Sequence, residues 1–475
     1  MVTGTARTAL QNMRLSRNKP RNENRMARIF EIRLIGGVIM AVAAFGGTDP
    51  GYFLVVEIVL LVLGGLLMLK SISRTAEYSV FPAMIPLLLV AIIVLQIVHL
   101  PVFANSMHGR VSAAPFETLS HLTALATYFS AFFMTITICR RPNGSKILIS
   151  ALLGLGAMEA CFGLVQFLTG YPQIFGYTKT INLEMATGTF INYDHFAGLM
   201  EMILPFALAG AFYQLSIIKG QDRQKLDQQG TFLSREELAK LAMWIFLSTL
   251  LLVALVFSES RMGLVAAILS ALSMITLMLT SGAKRASAFL LPLAFLAPAL
   301  SMIFWIGPEP VIARFEKLVK QSASVPDSRM AIWRDTLNLI GMHPWAGTGL
   351  GTFAVVYPSV QSAFPGQFVD HAHNDYLEFA SECGIPATVI LFAAIFYIVA
   401  QSVRSICRTA GHSQRAIALG CFGSMVAILL HSLTDFNLQI PANTLLFAVV
   451  LGISYANSSA CTRNPRIAMR LVVYP

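Results

Sequence analysis

The chain has 475 residues, 56% of them hydrophobic and only 12% charged, with mean hydropathy +0.67 and a formal net charge of +10. Soluble domains carry about 25% charged residues, so a soluble protein is excluded and an all-α, polytopic helical membrane protein is expected. The apolar runs are near-continuous without period-two alternation, which excludes a β-barrel, and no basic patch interleaves with aromatics, which excludes nucleic acid as a partner.

The chain opens on a basic tail (Arg7, Arg14, Arg17, Lys19, Arg21, Arg25, Arg28, Arg33) followed by the apolar run Leu34 to Phe45. Further spans follow, so this start reads as an uncleaved signal anchor. Twelve spans are expected, at 30–46, 52–70, 81–100, 119–139, 146–169, 191–218, 242–257, 262–280, 288–306, 385–403, 413–431 and 441–458. Of the 34 Lys and Arg, only Arg110, Lys179, Arg261, Arg314, Lys317, Lys320, Arg329 and Arg334 fall on the outer side in this frame. By the positive-inside rule both termini and the polar loop Gly220 to Lys240 are then cytoplasmic. The chain divides into a basic tail at 1–29, a nine-span bundle at 30–306, an external loop at 307–384, a three-span bundle at 385–458 and a tail at 459–475. The six cysteines form no CxxC pair, so neither a disulfide framework nor a zinc site is indicated.

Polar residues interrupt this pattern at a few places. Asn192-Tyr193-Asp194-His195 opens the sixth span, and His431-Ser432-Leu433-Thr434-Asp435 closes the eleventh. Each suits a helix-end polar network or a ligand contact. Ser258-Glu259-Ser260-Arg261 breaks the apolar stretch from Trp244 to Leu279. Lys240 and Lys284-Arg285 both belong inside, so two crossings joined by a turn are required, with Arg261 at the outer face. There it meets an anion, Glu259 or lipid headgroups. Asp327 to Met342 reads as an amphipathic helix, with Ile332, Leu337, Leu339 and Ile340 as its apolar positions and Asp327 or Ser328 as its cap. Arg329 and Arg334 diverge on it, so one faces a site and the other is solvated or paired with Asp335. Gly347-Thr348-Gly349-Leu350-Gly351 lacks the lysine of a P-loop and reads as a backbone turn.

The densest cluster is His371-Ala372-His373-Asn374-Asp375-Tyr376-Leu377-Glu378. In an extended strand His371, His373 and Asp375 would share a face and suit a metal, but no further external ligands are evident. A single histidine held by a carboxylate is a general base near neutral pH.

With these features the chain resembles the O-antigen ligase / O-antigen polymerase superfamily of bacterial inner-membrane glycan enzymes. The resemblance covers most of the chain. It rests on Asn192 with Phe196-Ala197-Gly198, Ser260-Arg261-Met262-Gly263, Ser328-Arg329 with Trp333, and Pro344 with Gly347, Gly349 and Phe353. His371 to Asp375, and His431 with Asp435, complete it. The family pattern of His-Asn, nine residues and Gly-x-x-Gly falls on His373-Asn374 and Gly384, with Ala387 where a second glycine stands. The resemblance implies a metal-independent, cofactor-free glycosyltransferase of the GT-C type, with His373, Arg261 and Arg329 catalytic. Arg334, His371, Asn374, Asp375, Asn192, His431 and Asp435 are then expected to bind substrate. The implied donor is a glycan on undecaprenyl diphosphate, and the acceptor a lipid A core or growing polysaccharide. Membrane lipids surround it, a chain-length regulator or flippase could accompany it, and its site faces the periplasm. The alternative from another class is a secondary transporter of a small anion or sugar-lipid, with the histidines and arginines as relays.

Overall fold

Inside hydrocarbon the backbone can bond only to itself, so near-continuous apolar runs form helices whatever their periodicity. The computed structural model describes residues 28–72, 81–98, 110–225, 234–280, 328–362, 366–409 and 411–462. Its helices are α1 (28–43), α2 (Pro50–Ile72), α3 (Phe81–Ile97), α4 (Pro115–Cys139), α5 (Gly144–Thr169), α6 (Tyr193–Lys225), α7 (Arg235–Ser258) and α8 (Arg261–Thr280), then α9 (Ser328–Met342), α10 (Phe353–Val356), α11 (Asp375–Arg408), α12 (His412–His431) and α13 (Pro441–Thr462). A two-residue ladder, β1 (Gln173–Ile174) with β2 (Tyr177–Thr178), lies between α5 and α6. Among the described residues, eight helices are long and apolar enough to cross a membrane. Every expected span coincides with a helix except 288–306, which lies outside the described residues, as do Arg314, Lys317, Lys320 and most of the basic tail.

The core of the bundle is α6. It packs against α7, α8 and α12, and 89% of its span is buried inside the protein. The Asn192 carboxamide starts it by accepting the Asp194 N–H at 2.8 Å. The stretch from Trp244 to Leu279 is two helices, as the flanking lysines require. Glu259 turns the chain at φ 67°, and the Ser260 hydroxyl caps α8 by accepting the Gly263 N–H at 3.1 Å.

The amphipathic helix α9 buries Ile332, Leu339 and Ile340, but Leu337 is 55% exposed and does not belong to that face. Five residues beyond Ile332 it stands about 140° around the helix. The buried face instead takes in Thr336 and Asp335. The Asp335 carboxylate accepts the Ser362 N–H and hydroxyl at 2.8 and 2.7 Å and the Tyr357 hydroxyl at 3.1 Å, fastening α9 to the segment after α10.

Helix α11 begins at Asp375, ten residues ahead of the expected span at 385, and bends at Gly384. Gly384 has φ 78° and ψ 164°, a region essentially restricted to glycine. The glycine-rich turn is folded over this bend as backbone, not as a nucleotide loop. The Ile385 N–H donates to Pro344 O at 2.8 Å, Thr348 N–H to Ser381 O at 3.0 Å and Gly349 N–H to Glu382 O at 2.9 Å. Gln96 of α3 locks the pair, donating to Ala346 O and Glu382 O and accepting from Leu350 N–H. The bend and the turn touch so closely that a Cβ on Gly384 would collide with the Trp345 carbonyl. Gly384→Ala therefore combines left-handed strain, of order 1–3 kcal/mol, with that clash. Its thermal midpoint in detergent should fall clearly below the parent's, whereas Gly154→Ala, whose Cβ meets nothing within 4 Å, should leave the midpoint unchanged.

Candidate active site at one end of the bundle

The starts of α6, α8 and α11 converge at one end of the bundle with the segment 431–440 that joins α12 to α13. The His371–Asp375 motif is stitched to that segment by backbone. Asp375 N–H donates to Ser432 O at 3.0 Å, the Asn374 carboxamide donates to Leu433 O at 2.8 Å, and Leu438 N–H donates to the Asp375 carboxylate at 3.0 Å. The Asn374 oxygen also caps α11 by accepting the Leu377 N–H at 3.0 Å. These bonds explain why Asn and Asp follow the histidine: they end the loop, start the helix and fix the register against 432–438.

His373 sits between two anchors with φ +49°, a left-handed conformation uncommon outside glycine. Its carbonyl accepts the Trp333 indole N–H from α9 at 3.3 Å. Its Nδ1 faces the Asp435 carboxylate at 3.3 Å. With the proton on Nδ1, Nε2 is left as the basic atom. About 30% of the His373 side chain is reachable, against 2% of Asp435. Burial works to raise the Asp435 pKa, but the His373 hydrogen bond and the neighbouring imidazoles of His195 and His431 outweigh it and hold the carboxylate well below its ordinary value.

His371 turns the other way. Its Nδ1 lies 2.6 Å from the Glu378 carboxylate, whose second oxygen accepts the Ala372 N–H at 2.7 Å. His371, His373 and Asp375 therefore point to three different partners, and the extended-strand metal arrangement is not formed. The Phe436 ring fills the space between the imidazoles, stacked on His371 at 4.1 Å and edge-on to His373 and His195 at 5.0 and 4.9 Å.

Behind His373 lies a buried layer. His431 Nδ1 meets the Glu201 carboxylate at 3.1 Å, and its Nε2 points to the second oxygen of Asp435 at 3.9 Å. Asp194, His431 and Asp435 bring one donor atom each within 4.8 Å of one another, a grouping with the spacing to hold a cation. In the same place the His431 imidazole stands between two carboxylates, and the Arg329 charge acts on Asp194.

The two arginines come to the same place. The charges of Arg261, at the first position of α8, and Arg329, in the first turn of α9, both act on the Tyr193 hydroxyl. Arg334 is exposed, so of the divergent pair it is Arg329 that faces inward. Asn192 spends its carboxamide oxygen on the α6 cap. Sequence reasoning passed over Glu201 and Phe436, and it named Tyr193 only within the polar start of the sixth span. Glu201 carried a usable signal: it lies two helical turns after Asp194 on one face, and a carboxylate within a span is a functional-site flag by default.

Burial pulls the His371 pKa down, but the Glu378 carboxylate, with Asp370 and Glu382 beyond it, pushes it up to about 9. A folded-state value above the ordinary 6.5 means that the pair's stabilisation is fully present below pH 6.5 and lost as pH rises through 9. Glu378→Gln should lower the thermal midpoint at pH 6.5, and its gap from the parent should shrink by pH 9.5. A gap of constant size at both pH values would contradict a charged His371.

Residues 246–392, from α7 through the first half of α11, match the family model described as O-antigen ligase. They include Arg261, Arg329 and His373, while Asn192, Glu201, His431 and Asp435 lie outside the matched segment. No curated protein matches the chain. Within a multi-pass helical bundle, the segment 246–392 is thus similar to the O-antigen ligase family, which supports the resemblance to the O-antigen ligase / O-antigen polymerase superfamily and a general role in lipid-linked glycan transfer.

Proposed function

We propose that this protein is an inverting, metal-independent glycosyltransferase of the bacterial inner membrane. It moves a glycan from undecaprenyl diphosphate to the hydroxyl of an acceptor sugar, on a lipid A core or a growing polysaccharide, at the periplasmic face. The observation that carries the reading is the reachable His373 imidazole, held through Nδ1 by a buried carboxylate, at the bundle end where the Arg261 and Arg329 charges converge.

In this mechanism the acceptor hydroxyl oxygen attacks the anomeric carbon and its proton passes to His373 Nε2. The bond from that carbon to the diphosphate oxygen breaks, and the diphosphate leaves with the electron pair. A sugar hydroxyl is a weak nucleophile, and a positioned base accelerates such a step by about 10²–10⁴-fold. Arg261 and Arg329 stabilise the charge that grows on the diphosphate, because guanidinium forks match phosphate oxygens two by two. One displacement inverts the anomeric centre.

A cavity of about 990 Å³ supports a lipid-linked donor. It runs between α2, α3, α4, α11 and α13, from Asp375 and Leu438 at the site to Ile398 and Tyr455 deep along the helices, and its walls are mostly apolar. An isoprenoid tail fits such a wall, and its diphosphate would then lie at the site end. The gathering of polar groups at one end, and not at a broken helix in mid-bundle, favours transfer over transport. The outward orientation of that end follows from the distribution of basic residues.

Purified variants with a synthetic undecaprenyl-diphosphate glycan test the roles. His373→Ala should abolish transfer and leave donor affinity largely intact, and His371→Ala should be milder. Arg261→Lys and Arg329→Lys should lose both turnover and donor affinity, because lysine keeps the charge but not the fork. Near-normal turnover in His373→Ala would refute the assignment of the base.

A further inference from the structure

Glu201, two turns into the apolar helix α6, has no exposed surface, and neither does its partner His431, the last residue of α12. Packing gives no reason for them, since replacing a buried ion pair by apolar side chains is often neutral or stabilising. Their geometry does. His431 addresses two carboxylates with its two nitrogens, Glu201 at 3.1 Å and Asp435 at 3.9 Å. Asp435 addresses two imidazoles with its two oxygens, His431 and, at 3.3 Å, His373. The result is one linear chain, Glu201–His431–Asp435–His373, from the buried interior of α6 to the reachable ring.

We infer that Glu201 and His431 are positioning residues for the base, acting on His373 through Asp435. The inference rests on the reading of His373 as the base. Before transfer His373 is neutral, and the buried Asp435 carboxylate needs a counter-charge that does not occupy its inner oxygen's position on His373. His431, anchored by Glu201, supplies it from the far side, so that Oδ1 stays aimed at Nδ1–H. As His373 takes the acceptor proton it becomes the second cation on the same carboxylate, and no side chain has to move. The left-handed backbone of His373 makes this dependence stronger, because the ring is held by its partners and not by a relaxed local conformation. The other charged and titratable groups facing this chain are Tyr193, Asp194 and His195 on α6, Arg261 on α8, Arg329 on α9, and His371 and Asp375 at the start of α11. None of them stands between Asp435 and either histidine in the contacts above.

Glu201→Gln keeps the shape and removes the charge. In the full-length protein, with a synthetic undecaprenyl-diphosphate glycan and a sugar acceptor, kcat should fall about 10-fold or more while donor Kd and thermal midpoint stay near the parent's. His431→Gln reads the same chain from its second link, so the test does not depend on one substitution folding. Unchanged kcat in both variants would overturn the inference. So would a loss of kcat matched by weakened donor binding or a lowered midpoint, which is the mark of a structural role. Full turnover in His373→Ala would instead remove the base itself, and is told apart from failure of the relay by that variant alone.

Discussion

The organisation of the site depends on one buried carboxylate. Asp435 follows α12 by four residues and accepts its own neighbour's N–H, that of Phe436, at 2.9 Å. The same oxygen meets His373, and the other faces His431. A carboxylate buried away from water is tolerable only where several donors and positive charges reach it. Here they come from α6, the loop that leads into α11, and α12, so satisfying Asp435 also fixes how those elements meet. Phe436 then places an apolar ring among three imidazoles, which holds them apart without offering them a competing hydrogen bond.

The second constraint is the bend at Gly384. A straight α11 would leave no room for the turn at 344–351, whose amides bond to the carbonyls exposed around the bend. That turn sits at the end of α9, and α9 carries both Arg329 and the Trp333 that holds the His373 carbonyl. A glycine with no side chain at all thus sets the placement of an arginine far from it in sequence, and of the histidine that precedes its own helix. Ala387, where the family pattern has a second glycine, is buried in the helix beyond the bend and adopts ordinary helical geometry.

Much of this was legible in the sequence because membrane helices are specified by composition alone. The spans could be read without any amphipathic signal, and the two-helix reading of Trp244 to Leu279 followed from lysines at its flanks. The early start of α11 was less legible: Asp375 to Cys383 is polar enough to look like loop, and only the Asn374 cap betrays it. Leu337 was misplaced because hydrophobicity on a short helix does not fix which of two faces is covered. The partners within the site could not be read at all. His431 and Asp435 stood out as a pair, but nothing in one dimension says that Asp435 belongs to His373, or that Glu201 lies behind them. Such contacts between segments more than 60 residues apart are set by packing, and the sequence marks only their chemistry.

The central claim is that imidazole and guanidinium groups of the protein, and no bound metal, carry the transfer. Asp194, His431 and Asp435 are the place where the opposite could be true, since their donor atoms stand within 4.8 Å of one another. The direct measurement is transfer from a synthetic undecaprenyl-diphosphate glycan by the purified protein in excess chelator. The account predicts turnover unchanged from the untreated enzyme. Loss of turnover with chelator, restored by one added divalent metal and absent in Asp194→Asn, would contradict it and make those three residues ligands.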